Sequence, residues 1–520
     1  MRCIVIGILT CCSFCVASAT DKHGATDSEL IDTVLQRAGD NRGQLEKVLQ
    51  HFALEGDSLK KQAARFLIAG MRNHSYVTYR LSDTAGNTIP FDAVSFPSYD
   101  SLLTAFDSLE ETHGPLEFEH DERVYDAETI TADLLIQNID LAFRAWSEYP
   151  WAGFLTFDQF CNFVLPYRGS GEPLESWRPY FLQRYAWVAD STHEPIEAAR
   201  LINRDVRSWF GFDRRYYYHP TDQGLAEMLQ SGLGRCEDMT NLAIYAMRAV
   251  GLAVTSDYTP HWGNANNNHA WNAILLPNGR VVPFMGAEAD PGEYALVNRP
   301  AKVYRKTFSP QPDNLAFIEH SQEKVPRWLG GESYQDVTAD YVKPVNVLVE
   351  MERPIPDSVD IAYLCVYNSG DWQAVDWGCL ENGAVLFEDI GPEILYIPAL
   401  YLNEGIQPSG DPFILHEDGR RRVMKNSEDS LLTMTLTHTS GTRLANSTDV
   451  RFLEPLQDSV EYKLQLWDDG WRIIASGTAR GASLILTGIP AGGLYRLLPL
   501  ESDGDQERPF TYAAGEQVWW

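Results

Sequence analysis

Positive charge is what this chain has least of. Against 72 aspartates and glutamates stand 42 lysines and arginines, a formal net charge of −30 over 520 residues. That balance excludes a nucleic-acid or anionic-membrane partner, because phosphate binding needs clustered Lys and Arg. The short run Arg420-Arg421-Arg422 reads as a solvated turn. Beyond the first twenty residues no stretch is long and apolar enough to span a bilayer, so no transmembrane segment is expected in the mature chain. No D-x-D-x-D-G calcium loop occurs, and neither a metal nor a cofactor is expected. Cysteine is sparse as well: of eight, Cys3, Cys11, Cys12 and Cys15 crowd the N-terminus, leaving Cys161, Cys236, Cys365 and Cys379.

What is present begins with a leader. Arg2 precedes an apolar run at residues 4–16, and Ala17-Ser18-Ala19 resembles an A-x-A cleavage site. Residues 1–19 therefore read as a signal peptide, with a mature chain from Thr20 exported to the periplasm or beyond. Anchoring as a lipoprotein through Cys11, Cys12 or Cys15 is the alternative, against which Ile8-Leu9-Thr10 stand as poor residues before a lipidated cysteine. In an oxidising compartment Cys365 and Cys379 are close enough in sequence to bridge, yet both also suit the interior of neighbouring strands. Cys161 reads as a core residue.

The chain divides by period into an α+β multidomain protein. Residues 28–36, 44–52 and 58–68 carry helical apolar spacing, a less regular acidic stretch covers 75–125, and 127–146 predicts a further helix. Together they make residues 20–150 a helical N-terminal region. Residues 151–310 form the expected catalytic domain, whose aromatics and arginines before residue 218 frame it. Polar, proline-spotted residues 301–324 read as a linker. Alternation then replaces helical spacing at Val359, Ile361, Tyr363, Cys365 and Tyr367, with turns at Asn368-Ser369-Gly370 and Asn382-Gly383. Residues 326–424 and 430–520 are expected to be two β-sandwich-like modules.

Two motifs carry chemistry. Gly232-Leu233-Gly234-Arg235-Cys236 runs into a helix with Met239, Leu242, Ala243, Ala246 and Val250 on one stripe and Gly251 as its C-terminal cap. Cys236 thus stands in a first turn, where free N–H groups and the helix dipole stabilise a thiolate and can donate to an oxyanion. Glu237 and Asp238 oppose the thiolate. Asn266-Asn267-Asn268-His269 opens the apolar strand beginning Ala270-Trp271-Asn272, and a strand-end histidine fixed against a helix-end cysteine supports nucleophilic catalysis. Taken singly, Cys236 would be a buried helix cysteine and His269 a loop histidine; the conjunction argues otherwise. His261 is a rival base without a strand behind it. The Cys236 N–H is the first oxyanion donor, with Gln223, Gln230 or a nearby Trp open as the second.

Gly234-Arg235-Cys236, Arg248-Ala249-Val250-Gly251-Leu252-Ala253, His269-Ala270-Trp271 and Val282-Pro283-Phe284 resemble the core of the transglutaminase-like superfamily, which shares the papain-like cysteine-protease arrangement. The resemblance covers about residues 222–290, and the wider layout is similar to exported bacterial proteins with such a core. It implies that Cys236 attacks an amide carbonyl to give a thioester while His269 moves the proton. In that family an aspartate follows the Val-Pro-Phe-like run and orients the imidazole; here Met285 stands instead. If Asn278-Gly279 makes a two-residue hairpin, His269 faces Glu288, the expected replacement, with Asp290 as substitute. The expected function is an exported peptidase or amidase, ahead of a cross-linking enzyme, with a peptide, protein or glycopeptide substrate. Its competitor is a catalytically degenerate protein that binds peptide or glycan through its β modules.

Overall fold

The computed structural model describes residues 27–318, 325–326, 328–440, 453–502, 504 and 507–520, so the leader lies outside the described residues. The N-terminal part is built on helices Asp27–Arg37, Arg42–Glu55, Ser58–Gly70 and Ala132–Glu148. They share one apolar core with Phe160, Cys161 and Leu165. The single helix expected over 127–146 is two, because the Thr131 side chain accepts from Leu134 N–H and starts a new helix after Asp126–Thr129. The stretch expected to be irregular is not: Ser75–Asp83 and Leu116–Tyr125 pair antiparallel, with helix Tyr99–His113 between them. Leu116–Tyr125 is mostly exposed and Ser75–Asp83 mostly half-buried, so neither shows the apolar alternation that announces a strand.

A mixed core surrounds the helix Cys236–Ala249. Every residue of this helix but Glu237 is buried, as befits a helix enclosed by its domain. It packs on a five-stranded antiparallel sheet ordered Val281–Phe284, His269–Leu275, Val254–Thr259, Tyr304–Lys306 and Tyr334–Asp336. Of these, Tyr304–Lys306 falls within 301–324, where a linker is expected, and corrects that expectation. Residues there look polar and proline-spotted, yet Tyr304 and Arg305 pair with Tyr258 and Asp257.

The C-terminal half holds several antiparallel sheets. Strands Val345–Glu350 and Ala384–Ile390 face a larger sheet containing Ile361–Asn368 and Ile394–Leu402 across a shared apolar layer. Strands Ser427–Leu436 and Leu484–Ala491 do the same against the sheet containing Glu461–Trp467 and Tyr495–Pro499. The turn at Asn382-Gly383 has the two left-handed residues that a tight hairpin demands. Cys365 and Cys379 do not form a bridge: Cys365 lies opposite Ala374 and Cys379 opposite Ile361, which separates them along the sheet. Among the described residues no helix is long and apolar enough to cross a membrane.

Candidate active site

Local sterics place the thiol. Gly232, at φ 62°, ends helix Leu225–Ser231 in the left-handed region. Gly234 lets the chain pass so close that an added Cβ would sit 2.6 Å from the Asp238 Cβ and 2.8 Å from the Phe210 ring. Asp238 then accepts from the Arg235 N–H at 2.9 Å and from the Gln223 N–H and Nε2 at 2.9 and 3.1 Å, which closes the helix start. Gln223 is therefore spent on structure, donating to Leu233 O as well and accepting from Ser231 Oγ. It is not the oxyanion donor, and Gln230 is exposed on its helix.

Asn272 ties the two catalytic motifs together. Its Nδ2 donates to Thr240 O on the thiol helix at 3.0 Å, and its Oδ1 accepts from Gly286 N–H at 3.1 Å. Behind the same strand, Trp271 Nε1 donates to Tyr341 Oη, which donates to Asp257, itself paired with Arg305 at 2.8 Å. The outcome is that the Ala270 N–H, next to His269, reaches the Cys236 sulfur. Cys236 is 6 % exposed. The His269 ring sits among Trp262, Trp271 and Tyr294, with centroids 6.2, 5.9 and 6.4 Å away. Tyr217 Oη is within hydrogen-bonding reach of the sulfur.

Burial dominates the electrostatics. It pushes the Cys236 thiol up to about 12, with the Glu237 carboxylate adding to the rise and Arg235 and the Ala270 N–H opposing it. It pushes His269 down to about 4, against the pull of Glu237. The resting pair is thus a neutral thiol and a neutral imidazole. Glu237 is the carboxylate common to both: it lies 3.8 Å from the sulfur and is held by Lys306 Nζ at 2.9 Å. From sequence alone Glu237 reads only as an unfavourable neighbour of the thiolate, and Lys306 carries no signal because residues 301–324 look like a linker.

The expected third residues fall elsewhere. The hairpin after Leu275 has a three-residue loop, since Leu276 N–H bonds to Arg280 O and Gly279 takes φ 77°. That moves the register by one residue, so Asn272 faces Phe284 and pairing stops there. Glu288 is consequently not opposite His269. It is an exposed residue of the 285–289 turn that Met285 N–H and Ala289 O close. Asp290 is 1 % exposed and its oxygens accept from Asn203 Nδ2 at 3.1 Å and Arg204 Nε at 2.6 Å. Among the described residues the His269 ring has no hydrogen-bond partner. The rival base His261 is directed to Asn368 instead. No three His, Cys, Asp or Glu side chains converge as a metal-ligand set among the described residues.

Residues 184–285 match the model of the transglutaminase-like superfamily core. The match contains Cys236 and His269 and ends at Met285, before Glu288 and Asp290. No curated protein matches the chain.

Proposed function

We propose, for a chain that carries a transglutaminase-like superfamily core at residues 184–285, a cysteine-dependent enzyme that acts on amide bonds through a thioester. The observation that carries this reading is the approach of the His269–Ala270 strand end to the Cys236 sulfur at a helix start. Cys236 Sγ attacks the amide carbonyl as neutral His269 takes the thiol proton, so no standing ion pair is needed. The Cys236 N–H, in the first turn, donates to the developing oxyanion. Collapse breaks the C–N bond, His269 returns the proton to the leaving amine, and water attacks the thioester with His269 again as base. Glu237 stabilises the imidazolium while it exists, the role first sought in Glu288 or Asp290. Hydrolysis is favoured over cross-linking, giving a peptidase or amidase, and the leader-like segment supports export with a mature N-terminus at Thr20.

An active-ester substrate such as p-nitrophenyl acetate tests the chemistry. A hydroxylamine-labile acyl group on Cys236 is expected in the native chain, and none in Cys236→Ala or His269→Ala. Acylation no faster than in the denatured chain would sink the reading. A second reading, a degenerate domain that binds peptide or glycan through its β modules, draws on Met285 and on the unpartnered His269 ring. It expects no acyl group at all.

A further inference from the structure

A cavity of about 540 Å³ opens between the N-terminal hairpin, the 166–171 loop and the outer strands of the core sheet. Its size falls in the ligand-pocket range of about 300–1,000 Å³. It does not contain Cys236, but Lys306 and Tyr258 form part of its wall, and these two flank Glu237: Lys306 Nζ holds the Glu237 carboxylate and lies 5.8 Å from the Tyr258 ring centroid. The Glu237–Lys306 ion pair therefore runs from the thiol to the cavity wall.

In a chain of net charge −30, this cavity is lined by Arg123, Arg168, Arg248 and Lys306. One lining carboxylate, Glu332, is held by Arg72 at 2.5 Å. Arg168 is matched by Asp126 at 2.5 Å and Lys306 by Glu237. Among the described residues Arg248 has no carboxylate ion-pair partner. It is 4 % exposed, and its Nε and Nη1 donate to the carbonyls of Val254 at 2.8 Å and Arg168 at 3.0 Å. Glu172, the carboxylate that acts on Arg248 through space, accepts from the Gly169 and Ser170 N–H groups at 2.7 and 2.8 Å rather than from Arg248. Arg123, at the rim, bonds to the Ser75 hydroxyl at 3.1 Å. A buried guanidinium held by carbonyls alone carries a desolvation cost that a counter-charge would offset. Burial indeed lowers Arg248 to about 9.

We propose that this cavity is a carboxylate subsite: Arg248 and Arg123 take the carboxylate of a peptide substrate, whose apolar part lies on Tyr258, Phe308 and Trp328 and whose scissile amide reaches Cys236 past Lys306. The assignment rests on the amide-bond reading above. A planar carboxylate matches the guanidinium fork, and its single charge matches the small excess of positive charge here.

Calorimetric titration of the full-length Cys236→Ala chain with acetyl-Ala-Ala-Phe and with its C-terminal amide tests the subsite without requiring turnover. The acid is expected to bind at least about tenfold tighter than the amide, the size of one charge-assisted hydrogen bond. Arg123→Met, a rim substitution whose fold is checked by thermal melting, should remove most of that advantage and leave the amide unchanged. Equal affinities, no binding of the acid, indifference to Arg123→Met, or tighter displacement by inorganic phosphate would each overturn the assignment. A reactive thiol with no acid preference would refute the subsite alone; an acid preference with an inert thiol would refute catalysis alone.

Discussion

Asn368, on a turn of the first C-terminal sheet, donates its side-chain amide to the carbonyl of Asn267, two residues ahead of His269, at 3.0 Å. The same Nδ2 reaches the carbonyls of Trp262 and Ala265, while Oδ1 accepts from the Asn267 N–H. Arg508, from the last part of the chain, adds bonds to Gly263 O at 3.0 Å and Asn266 Oδ1 at 3.1 Å. The loop that delivers the histidine is therefore shaped by residues far along the sequence, with Asn267 held at φ 79°.

Removing that clamp should cost both stability and reactivity. Asn368→Ala leaves buried carbonyls without donors and is expected to destabilise the chain by about 2 kcal/mol in urea unfolding. Asn368→Asp should cost more, since a carboxylate would face those same carbonyls. Both should slow acylation of Cys236 by active ester under conditions where the chain remains folded, and a variant that acylates at the native rate would show that the clamp does not position His269.

Thiol alkylation should follow the raised acidity constant of Cys236. With the folded thiol at about 12, its iodoacetamide rate is expected to climb about tenfold per pH unit between pH 7 and 10, without levelling off. A plateau at acidic or neutral pH would mean a standing thiolate. Active-ester acylation, which uses His269 as base, should lose rate only as the imidazole protonates, near pH 4 rather than 6.5. The sign is fixed by burial, which favours the neutral ring and so delays protonation to lower pH.

Glu237→Gln separates the two titrations. The carboxylate raises both groups, so its removal should lower the Cys236 thiol and lower His269 further. Lys306, no longer neutralised, adds to both shifts. Alkylation at pH 8 should then speed up by about tenfold for each unit the thiol falls, and the acid limb of acylation should move below pH 4. Stability is expected to drop, because Lys306 is left without its partner. An alkylation profile identical to that of the parent chain would show that the carboxylate does not govern the thiol.

The parts of this arrangement legible in sequence are those set by local pattern. The thiol helix announces itself by its apolar stripe and glycine stop, and the histidine strand by an apolar run after an asparagine-rich loop. What stayed hidden depends on partners remote in sequence. Tyr304–Lys306 is too short and polar to read as a strand, and becomes one because Val254–Thr259 offers it an edge. Glu237 and Lys306 meet across 69 residues. The misplaced Glu288 has a local cause: a hairpin with Asn-Gly reads as a two-residue loop, while here Pro277 joins the turn and Gly279 alone takes the left-handed residue of a three-residue loop. One residue of slip was enough to bring Glu288 opposite His269 on paper.

Met285→Asp asks what the missing acid would do. Met285 is 1 % exposed and shares its core with Met239, Trp271 and Phe284. Met285 follows Phe284, which faces Asn272, and it packs in the same core as Trp271, which shares a strand face with His269 two residues earlier. A carboxylate there loses its hydration and is expected to pair with the His269 ring. Unpaired, it should cost about 3 kcal/mol; protonation of His269 would recover part of that. The acid limb of acylation should therefore rise from about 4 toward the ordinary histidine value, and the stability that the depressed His269 loses on acidification across that interval should shrink. Met285→Asn supplies the shape without the charge and should move the limb little. Matching pH profiles for the two variants would mean that position 285 does not reach the imidazole and serves packing alone.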